Sequence, residues 1–480
     1  MPPAYYDVVL VGDELAGMIA AALCARRGLR VLVVDRAARP AEPGAPSAFL
    51  VETSPAAKRV IAELNLLQAV KRRLMTPRPA FQLLSPDSRV DVSTDGELFA
   101  RELDRELPDA RVAIEAALND AAEIAKVWDG LLSQELAIPG GGFWERRELK
   151  YADAKLPVDG KLLPTLPDGH LARAFLSLPA AFGLAVDPRA VPQAAALRHL
   201  DLWRRGAALL AGGESALRGL LVEKVTGQHS GEVRVLTPTG LTTRWGKVTA
   251  LEVADAGEAI STGAVVFASP RGVHEHLLGD KAKRDKTFAW ARQPSAWRVT
   301  FGVTLAASGL PEGLGQVAFG VVDPAKPLLD DNAIAIVRGE PDEDARVELA
   351  VSANLTAPAD GDLEAAIRAL RPRVLARLED LLPFSTNHTL EVRSPALPDE
   401  PALSGPGIEP LWTPDEPLVL GAGALGYDAG PKGAIAATQQ NLPGLGLEGA
   451  FAAGWTTARL VLAALGKRKD ALNEVIGGTG

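Results

Sequence analysis

The stretch that decides the fold is VGDELAG, residues 11–17. It ends a short apolar run, residues 6–11 (YDVVLV), of the kind that is buried in a parallel sheet. After it, residues 15–27 carry apolar and alanine side chains at helical spacing, which predicts a helix packed closely on that sheet. Residues 31–34 (VLVV) predict a second buried strand, ending at Asp35. This order of strand, tight turn, helix and strand is typical of the first unit of a dinucleotide-binding domain.

Two glycines and one acidic residue in this unit match the dinucleotide-binding pattern. Gly12 and Gly17 stand at the first and third positions of G-x-G-x-x-G. Asp35 follows at about the spacing at which an acidic side chain meets ribose hydroxyls. These positions predict a Rossmann-type domain, and Leu15 and Arg36 complete its candidate cofactor-binding residues together with Glu14.

Glu14 departs from the pattern, because it stands at the second position, where glycine lets the backbone approach a pyrophosphate. Two like charges about 4 Å apart repel by about 1 kcal/mol in water-like surroundings and by about 4 kcal/mol at an effective dielectric constant near 20. Carboxylates at a helix N-terminus are also stabilised, by about 0.3–1 kcal/mol each. Asp13 and Glu14 therefore either repel a nucleotide or fill its anion site from within.

The composition is that of an ordinary globular protein, with 480 residues of which 47% are hydrophobic and 23% charged. A net charge of −9 argues against a nucleic-acid partner, which requires a basic surface. One cysteine, Cys24, and the pair His274 and His276 without a nearby acidic ligand set predict no metal site. The N-terminal residues resemble neither a signal peptide nor a transmembrane span, so we expect a cytoplasmic protein.

Further elements are predicted along the rest of the chain. A helix opens on the glycine pair 212–213, and residues 99–136 form a helical insertion. Strand patterns occur at residues 233–236, 247–252, 263–268, 333–337 and 346–352, and a long helix is predicted for residues 361–382. Near the C-terminus, residues 443–454 (PGLGLEGAFAAG) form a glycine-rich turn that leads into an apolar helix through Leu465, a geometry that binds anions or rings.

Over residues 6–465 the order of these blocks resembles the superfamily of FAD-dependent amine oxidases and phytoene desaturases. The N-terminal unit, the segment from GGESAL (212–217) to VVFASP (265–270), and the C-terminal block carry the resemblance. The C-terminal block matches the desaturase pattern P-G-x-G-x-x-G-A-x-x-S-G except at Ala453.

The resemblance implies an α/β fold, in which an inserted α+β substrate domain interrupts a discontinuous Rossmann-type FAD-binding domain. The FAD-binding domain would comprise residues 1–98, 205–275 and 415–480, and the substrate domain residues 99–204 and 276–414. The glycines of the N-terminal turn would shape the pyrophosphate site, and Asp35 would hold the ribose. The residues that would approach the flavin are Gly444, Gly446, Gly449 and Ala450.

The function that the resemblance implies is an FAD-dependent oxidoreductase acting on a hydrophobic small molecule. Three departures leave an alternative open: Glu14, the segment 436–442 without the usual glycine, and the segment 36–50, which lacks the glycine pair and the arginine with which many relatives hold the cofactor. The alternative is a flavin-free, non-catalytic binding or scaffold protein in which Glu14 blocks the pyrophosphate site. Rab GDP-dissociation inhibitors likewise share this fold without using FAD. Neither catalytic residues nor an oligomeric state is predicted.

A weak contact with a membrane surface is a further open alternative. The basic run at residues 280–286 is followed by Trp290, Arg292, Trp297 and Arg298. A solvated loop explains this segment as well, because no amphipathic helix with a large apolar face is evident there.

Overall fold

The computed structural model describes residues 5–35, 47–49, 53–134, 136–140, 142–156, 165–206, 208–227, 231–254, 259–279, 293–397 and 407–466. Its strands are β1 Tyr5–Gly12, β2 Val31–Asp35, β3 Ser47–Phe49, β4 Leu74–Met75, β5 Phe81–Ser85, β6 Ser88–Val92, β7 Ala208–Leu210, β8 Gly231–Val235, β9 Pro238–Arg244, β10 Lys247–Val253, β11 Ile260–Ala268, β12 Ala296–Ala306, β13 Val317–Val321, β14 Ala333–Arg338, β15 Arg346–Thr356, β16 Thr389–Arg393, β17 Ile408–Leu411 and β18 Ala434–Ala436. Its helices are α1 Leu15–Arg26, α2 Pro55–Glu63, α3 Leu67–Lys71, α4 Gly96–Glu106, α5 Arg111–Ser133, α6 Phe143–Asp153, α7 Leu171–Gly183, α8 Gln193–Arg204, α9 Gly213–Thr226, α10 Arg271–Leu278, α11 Leu363–Leu381, α12 Ser385–His388 and α13 Gly446–Ala464.

The first sheet is built around β1, as the apolar N-terminal run predicts. Its strand order is β8-β2-β1-β11-β10-β9, and β18 pairs with β11. Strands β1, β2, β8, β11 and β18 run parallel to one another. Their common direction brings the carboxyl ends of four strands to one edge, at Gly12, Asp35, Ala268 and Ala436. Ligands of doubly wound folds bind at this edge.

The helix α1 lies so close to this sheet that glycine is required where the two meet. A Cβ atom on Gly17 would overlap the side chain of Ala268. Helix α13 in turn crosses α1 at Gly454, where a Cβ atom would lie 2.6 Å from Cγ2 of Ile19 and 2.8 Å from the carbonyl oxygen of Ala16. The predicted strand, helix and strand at residues 6–34 are confirmed.

The second sheet has the order β16-β12-β15-β14-β13-β5-β6, with β17 paired to β12. Apolar side chains of α11 pack on one of its faces, and those of α4, α5, α7 and α8 form a separate core that includes β5 and β13. A small third sheet joins β3, β7 and β4. The mixed α/β fold class is confirmed. The domain boundaries stay a prediction, although β5 and β6 fall inside the segment 1–98 while pairing in the second sheet.

One boundary differs from the sequence-based expectation. Only Pro443–Leu445 forms a turn, and α13 begins at Gly446, so that Gly449, Ala450 and Gly454 lie inside the helix. Glycine is required at Gly449 and Gly454 because a Cβ atom at either position would overlap a neighbouring carbonyl oxygen. No helix in the described part of the chain is long and apolar enough to cross a membrane.

The crossing of α1 and α13 generates the first prediction. Gly454→Ala places a methyl group against Ile19 and should cost about 1–3 kcal/mol, as overpacking does. Gly219→Ala in α9 is the matched control, because a Cβ atom there meets nothing within 4 Å. The control should gain up to about 1 kcal/mol of helix propensity. Thermal unfolding followed by circular dichroism should show a lower Tm for the first variant alone, and equal Tm values would contradict this packing.

Candidate functional site

The turn between β1 and α1 is held tightly against β11. Gly12 has a left-handed backbone with φ of 99°, and a Cβ atom there would lie 2.8 Å from the carbonyl carbon of Ala268. The backbone N–H of Glu14 donates to the carbonyl oxygen of Ala268 over 3.0 Å. This bond places Glu14 as the N-cap residue of α1, at the carboxyl edge of the first sheet.

The Glu14 side chain turns inward and bonds to a distant segment. It is 5% exposed, and its Oε2 accepts a hydrogen bond of 2.7 Å from the backbone N–H of Gln439. That N–H belongs to the turn after β18, which is fixed by a 2.7 Å bond from the N–H of Thr438 to Oδ1 of Asn441. Glu14 therefore joins the turns that follow β1 and β18.

The buried position perturbs the Glu14 carboxyl group. Burial raises its pKa to about 7, and the nearby Asp13 and Glu214 carboxylates add to the rise. The hydrogen bond from Gln439 and the Arg218 guanidinium act in the opposite direction. The burial of Glu14 thus makes its charged form costly at neutral pH.

Arg218 ties α9 to the same turn. Its Nη1 lies 2.9 Å from Oδ2 of Asp13 and also donates to the carbonyl oxygen of Asp13, while its Nη2 lies 2.8 Å from Oε1 of Glu214. Burial alone would lower the pKa of the Arg218 guanidinium, but the two carboxylates raise it. The carboxylates of Asp13, Glu14 and Glu214 outnumber the guanidinium that they surround, which disfavours an added anion.

Of the other predicted residues of the N-terminal unit, some lie in the core and one lies at the sheet edge beside Gly12. Leu15 is buried in the core, and Gly17 serves the close contact of α1 with β11. Asp35 ends β2 at the same sheet edge as Gly12 and is partly exposed. Arg36 lies outside the described residues. Gly12, Glu14 and Asp35 are therefore brought to one edge.

The glycines of the C-terminal block fit against the protein's own backbone. A Cβ atom on any of the three would overlap a carbonyl oxygen. The oxygen belongs to Gly421 in the case of Gly444, to Gly183 in the case of Gly446 and to Leu442 in the case of Gly449. Ala450 is buried beside them. Close packing therefore explains this glycine pattern, and an approach of these residues to a flavin stays a prediction.

The pyrophosphate of a dinucleotide lies at the N-terminus of the first helix and receives backbone N–H groups. In this protein the residue at that helix end is Glu14, whose buried carboxylate makes no capping hydrogen bond to α1 and takes the N–H of Gln439. A pyrophosphate would have to displace a buried side chain and enter among carboxylates. The residues present do not fit an FAD pyrophosphate in this arrangement.

A buried ion pair near this edge was missed by the sequence reasoning. Nε and Nη2 of Arg198 in α8 bond to both carboxylate oxygens of Glu448 in α13, over 3.0 and 2.7 Å. Nη1 of Arg198 lies 2.8 Å from Oδ1 of Asp129 in α5. Glu448 is a single charge within an apolar block, which is a signal for a buried partner. Arg198 thus links α5, α8 and α13, and it pairs the charge of Glu448.

Two other candidate groups have structural roles. His274 is buried, stacks on Phe267 with 4.7 Å between ring centroids and lies 3.0 Å from the carbonyl oxygen of Ser269. Burial lowers its pKa to about 4. Trp297 and Arg298, considered for a membrane surface, are buried in β12, and residues 280–292 lie outside the described part. Among the described residues no cluster of three His, Cys, Asp or Glu side chains could hold a metal.

Comparisons with known proteins show what this chain is similar to. No protein-family profile matches the chain, and no curated protein sequence matches it. A triple mutant of putrescine oxidase with redesigned cofactor binding has a TM-score of 0.62 and 16% identity, covering 96% of this chain and 100% of that chain. An oxidoreductase from Methanosarcina mazei has a TM-score of 0.57 and 12% identity, covering 92% and 98%. The chain has the fold of FAD-binding oxidoreductases.

The raised pKa of Glu14 generates the second prediction. Its native pKa of about 7 lies above its ordinary value of 4.5, so the folded chain keeps a proton that the unfolded chain releases between these values. The stability contributed by protonated Glu14 is therefore full below pH 4.5 and is lost as the pH rises through about 7. Glu14→Gln removes this titration and keeps an acceptor for Gln439.

Thermal unfolding of both proteins from about pH 5 to about pH 8 checks this sign. The Tm of the Glu14→Gln variant minus that of the unmodified protein should increase with pH. The comparison at about pH 5, where Glu14 is protonated, is the internal control. A difference that does not change with pH would show that Glu14 does not titrate in this range.

Proposed function

We propose that this protein binds a hydrophobic small molecule on the fold of FAD-binding oxidoreductases, and that it does so without FAD. The single observation that carries the proposal is the bond between the Glu14 carboxylate and the N–H of Gln439. The class of ligand follows from the resemblance to amine oxidases and desaturases, whose substrates include hydrophobic molecules. No residue is assigned a catalytic role.

The charge of Glu14 supports the absence of a bound dinucleotide. Repulsion of about 4 kcal/mol between two charges about 4 Å apart at an effective dielectric constant near 20 corresponds to about a thousandfold loss of affinity. Because the pKa of Glu14 is about 7, this repulsion approaches its full size only at higher pH, and at neutral pH it is limited to the small cost of protonating Glu14. The side chain also fills the space that a glycine at this position would leave open. Bulk and charge therefore act in the same direction.

The packing around the edge supports the same proposal. In the turn after β18, the N–H groups of Thr438 and Gln439 are hydrogen-bonded within the protein, to Asn441 and Glu14 respectively. Arg218, whose positive charge would suit a phosphate, is engaged by Asp13 and Glu214. An added dinucleotide would have to break these contacts before it formed its own.

The third prediction tests this proposal by FAD titration. The unmodified protein should show no flavin absorption bands after purification and no binding at tens of micromolar FAD. Glu14→Gly restores the second glycine of the pattern and should bind FAD at least about tenfold more tightly. Glu14→Asp is the matched control, because it keeps a carboxylate at the same position and should not gain binding.

Three outcomes contradict the proposal. Flavin bands in the unmodified protein would exclude a flavin-free form, and native mass spectrometry that finds neither a retained hydrophobic molecule nor uptake of one from a lipid panel would exclude the proposed ligand class. Equal FAD affinities of the Glu14→Gly and Glu14→Asp variants would mean that Glu14 does not block the site.

The second candidate function is an FAD-dependent oxidoreductase of the desaturase or amine oxidase type. The likeness of fold over nearly the whole chain favours it, as do the left-handed Gly12 and the position of Asp35 at the same sheet edge. In that case Glu14 would have to leave the N–H of Gln439 when FAD binds. The absorption spectrum of the purified protein decides between the two candidates.

A further inference from the structure

Three buried polar side chains meet at the C-terminal end of α7. His199 in α8 is 5% exposed, Arg298 in β12 is 9% exposed and Asn354 in β15 is fully buried. Each has one polar atom without a hydrogen-bond partner among the described residues. These atoms are Nδ1 of His199, Nε of Arg298 and Oδ1 of Asn354. Buried polar atoms are nearly always hydrogen-bonded, so three such atoms in one place indicate a bound polar group.

The end of α7 brings the three side chains together. The carbonyl oxygen of Ala181 accepts hydrogen bonds from Nδ2 of Asn354 over 3.0 Å and from Nη2 of Arg298 over 3.4 Å. Arg298 and Asn354 are also direct partners in the pairing of β12 with β15. The His199 ring lies against Gly183, where a Cβ atom would overlap it. All three side chains therefore lie against the last turn of α7.

The partners of these side chains determine which of the three atoms donate. Nε1–H of Trp203 donates to Nε2 of His199 over 3.2 Å, so the neutral ring carries its proton on Nδ1. Burial lowers the pKa of His199 to about 3, and the charges of Arg298 and Arg198 add to this effect, so the ring is neutral. Nε of Arg298 is also a donor, and Oδ1 of Asn354 is an acceptor. The site thus offers two N–H groups and one oxygen.

This set of two donors and one acceptor matches a hydroxyl group. A hydroxyl oxygen accepts two hydrogen bonds and donates one. A carboxylate or a ketone only accepts and would leave Oδ1 of Asn354 without a partner, while an ammonium group only donates and would face two N–H groups. The charge of Arg298 is already paired, because its Nη1 lies 2.7 Å from Oε2 of Glu409. A neutral hydroxyl group therefore suits the site better than an ion.

An aromatic cluster adjoins the three polar side chains. Trp203, which bonds to His199, meets the rings of Phe81 and Phe319 edge to face, with centroids 5.8 and 5.7 Å away. Phe182 stacks on Phe319 with 6.1 Å between centroids and is partly exposed. The surroundings of the polar atoms are therefore apolar, and solvent reaches them in part.

The site also lies where the second sheet meets the C-terminal block. The N–H of Ala185, just after α7, donates to the carbonyl oxygen of Pro443 over 3.1 Å. A Cβ atom on Gly446 would overlap the carbonyl oxygen of Gly183. The end of α7 is thus in contact with the turn before α13 on one side and with β12 and β15 on the other. Small-molecule sites occur preferentially at interfaces of this kind.

We propose that His199, Arg298 and Asn354 bind the hydroxyl group of a hydrophobic alcohol. The inference rests on the proposed function, since it names the polar end of the hydrophobic molecule that the protein binds. Nδ1 of His199 and Nε of Arg298 donate to the hydroxyl oxygen, and the hydroxyl proton is donated to Oδ1 of Asn354. The three side chains bind and orient the ligand.

The fourth prediction tests this site with two probes of equal chain length, decanol and decyl chloride. Isothermal titration calorimetry with the full chain should show at least about tenfold tighter binding of decanol, because the chloride leaves the polar atoms without a partner. His199→Phe removes one donor, and Asn354→Leu removes the acceptor at similar volume. Each variant should bind the two probes with about equal affinity.

His274→Phe provides the matched control. His274 is also a buried histidine, but its Nδ1 already lies 3.0 Å from the carbonyl oxygen of Ser269. This variant should keep the preference of the unmodified protein for decanol. Far-ultraviolet circular dichroism establishes that each variant is folded, and the two positions of the site are changed separately so that one folded variant suffices.

Three results would overturn the inference. The first is equal affinity of the unmodified protein for the two probes, which is also the result expected if a water molecule fills the site. The second is a preference for decanol that persists in both His199→Phe and Asn354→Leu, and the third is a loss of that preference in His274→Phe. In each case the proposed function stands, because a hydrophobic molecule still binds.

The failure of the proposed function gives a different result. If neither decanol nor decyl chloride binds, the inference fails. The proposed function fails with it only if native mass spectrometry with the lipid panel also finds no ligand.

Discussion

The N-terminus of α1 is buried at the carboxyl edge of the first sheet, so its polar backbone groups have to be satisfied by the residues around that edge. The first turn of a helix has backbone N–H groups without intrahelical partners and the positive end of the helix dipole, and both favour a negative group nearby. In dinucleotide-binding proteins a pyrophosphate provides this negative charge. Here the residue immediately before the helix is Glu14, whose carboxylate makes no capping hydrogen bond to α1 and instead receives the N–H of Gln439.

The neighbouring elements depend on this arrangement. Gly17 lets α1 approach β11, and Gly454 lets α13 approach α1, so that the turn before α13 reaches the edge where Glu14 lies. Arg218 adds α9 through its pair with Asp13. The buried pair of Arg198 and Glu448 holds α8 against α13. Contacts within the chain thus join several elements near the edge at which this fold otherwise binds a ligand.

The local part of this arrangement could be predicted from the sequence. Hydrophobic periodicity and the two glycines gave the strand, turn, helix and strand at residues 6–34, because these elements depend on neighbouring residues. The beginning of α13 was placed too late, since its glycines suggested a turn. These glycines are needed because other segments of the chain approach them closely. A local sequence pattern carries no information about those distant segments.

The pairing across the site could not be predicted in the same way. Glu14 and Gln439 are 425 residues apart, and Arg198 and Glu448 are 250 apart. Two alternatives for Glu14 stayed open at the sequence level, repulsion of a nucleotide or occupation of its site. The direction of the Glu14 side chain decides between these alternatives. That direction depends on how β18 pairs with β11, and no local sequence signal specifies the register of this pairing.

The chemistry of Glu14 shows what a carboxylate does at this position that a neutral side chain would not. A glutamine could accept the same bond from Gln439 without the cost of burying a charge, a cost that appears as the raised pKa of Glu14. Apart from the favourable helix dipole, the stability of the folded chain therefore gives no reason for a charge here. What the charge adds is repulsion of a second anion at the end of α1. In the proposed flavin-free function, the residue that joins the two turns is also the one that opposes a dinucleotide.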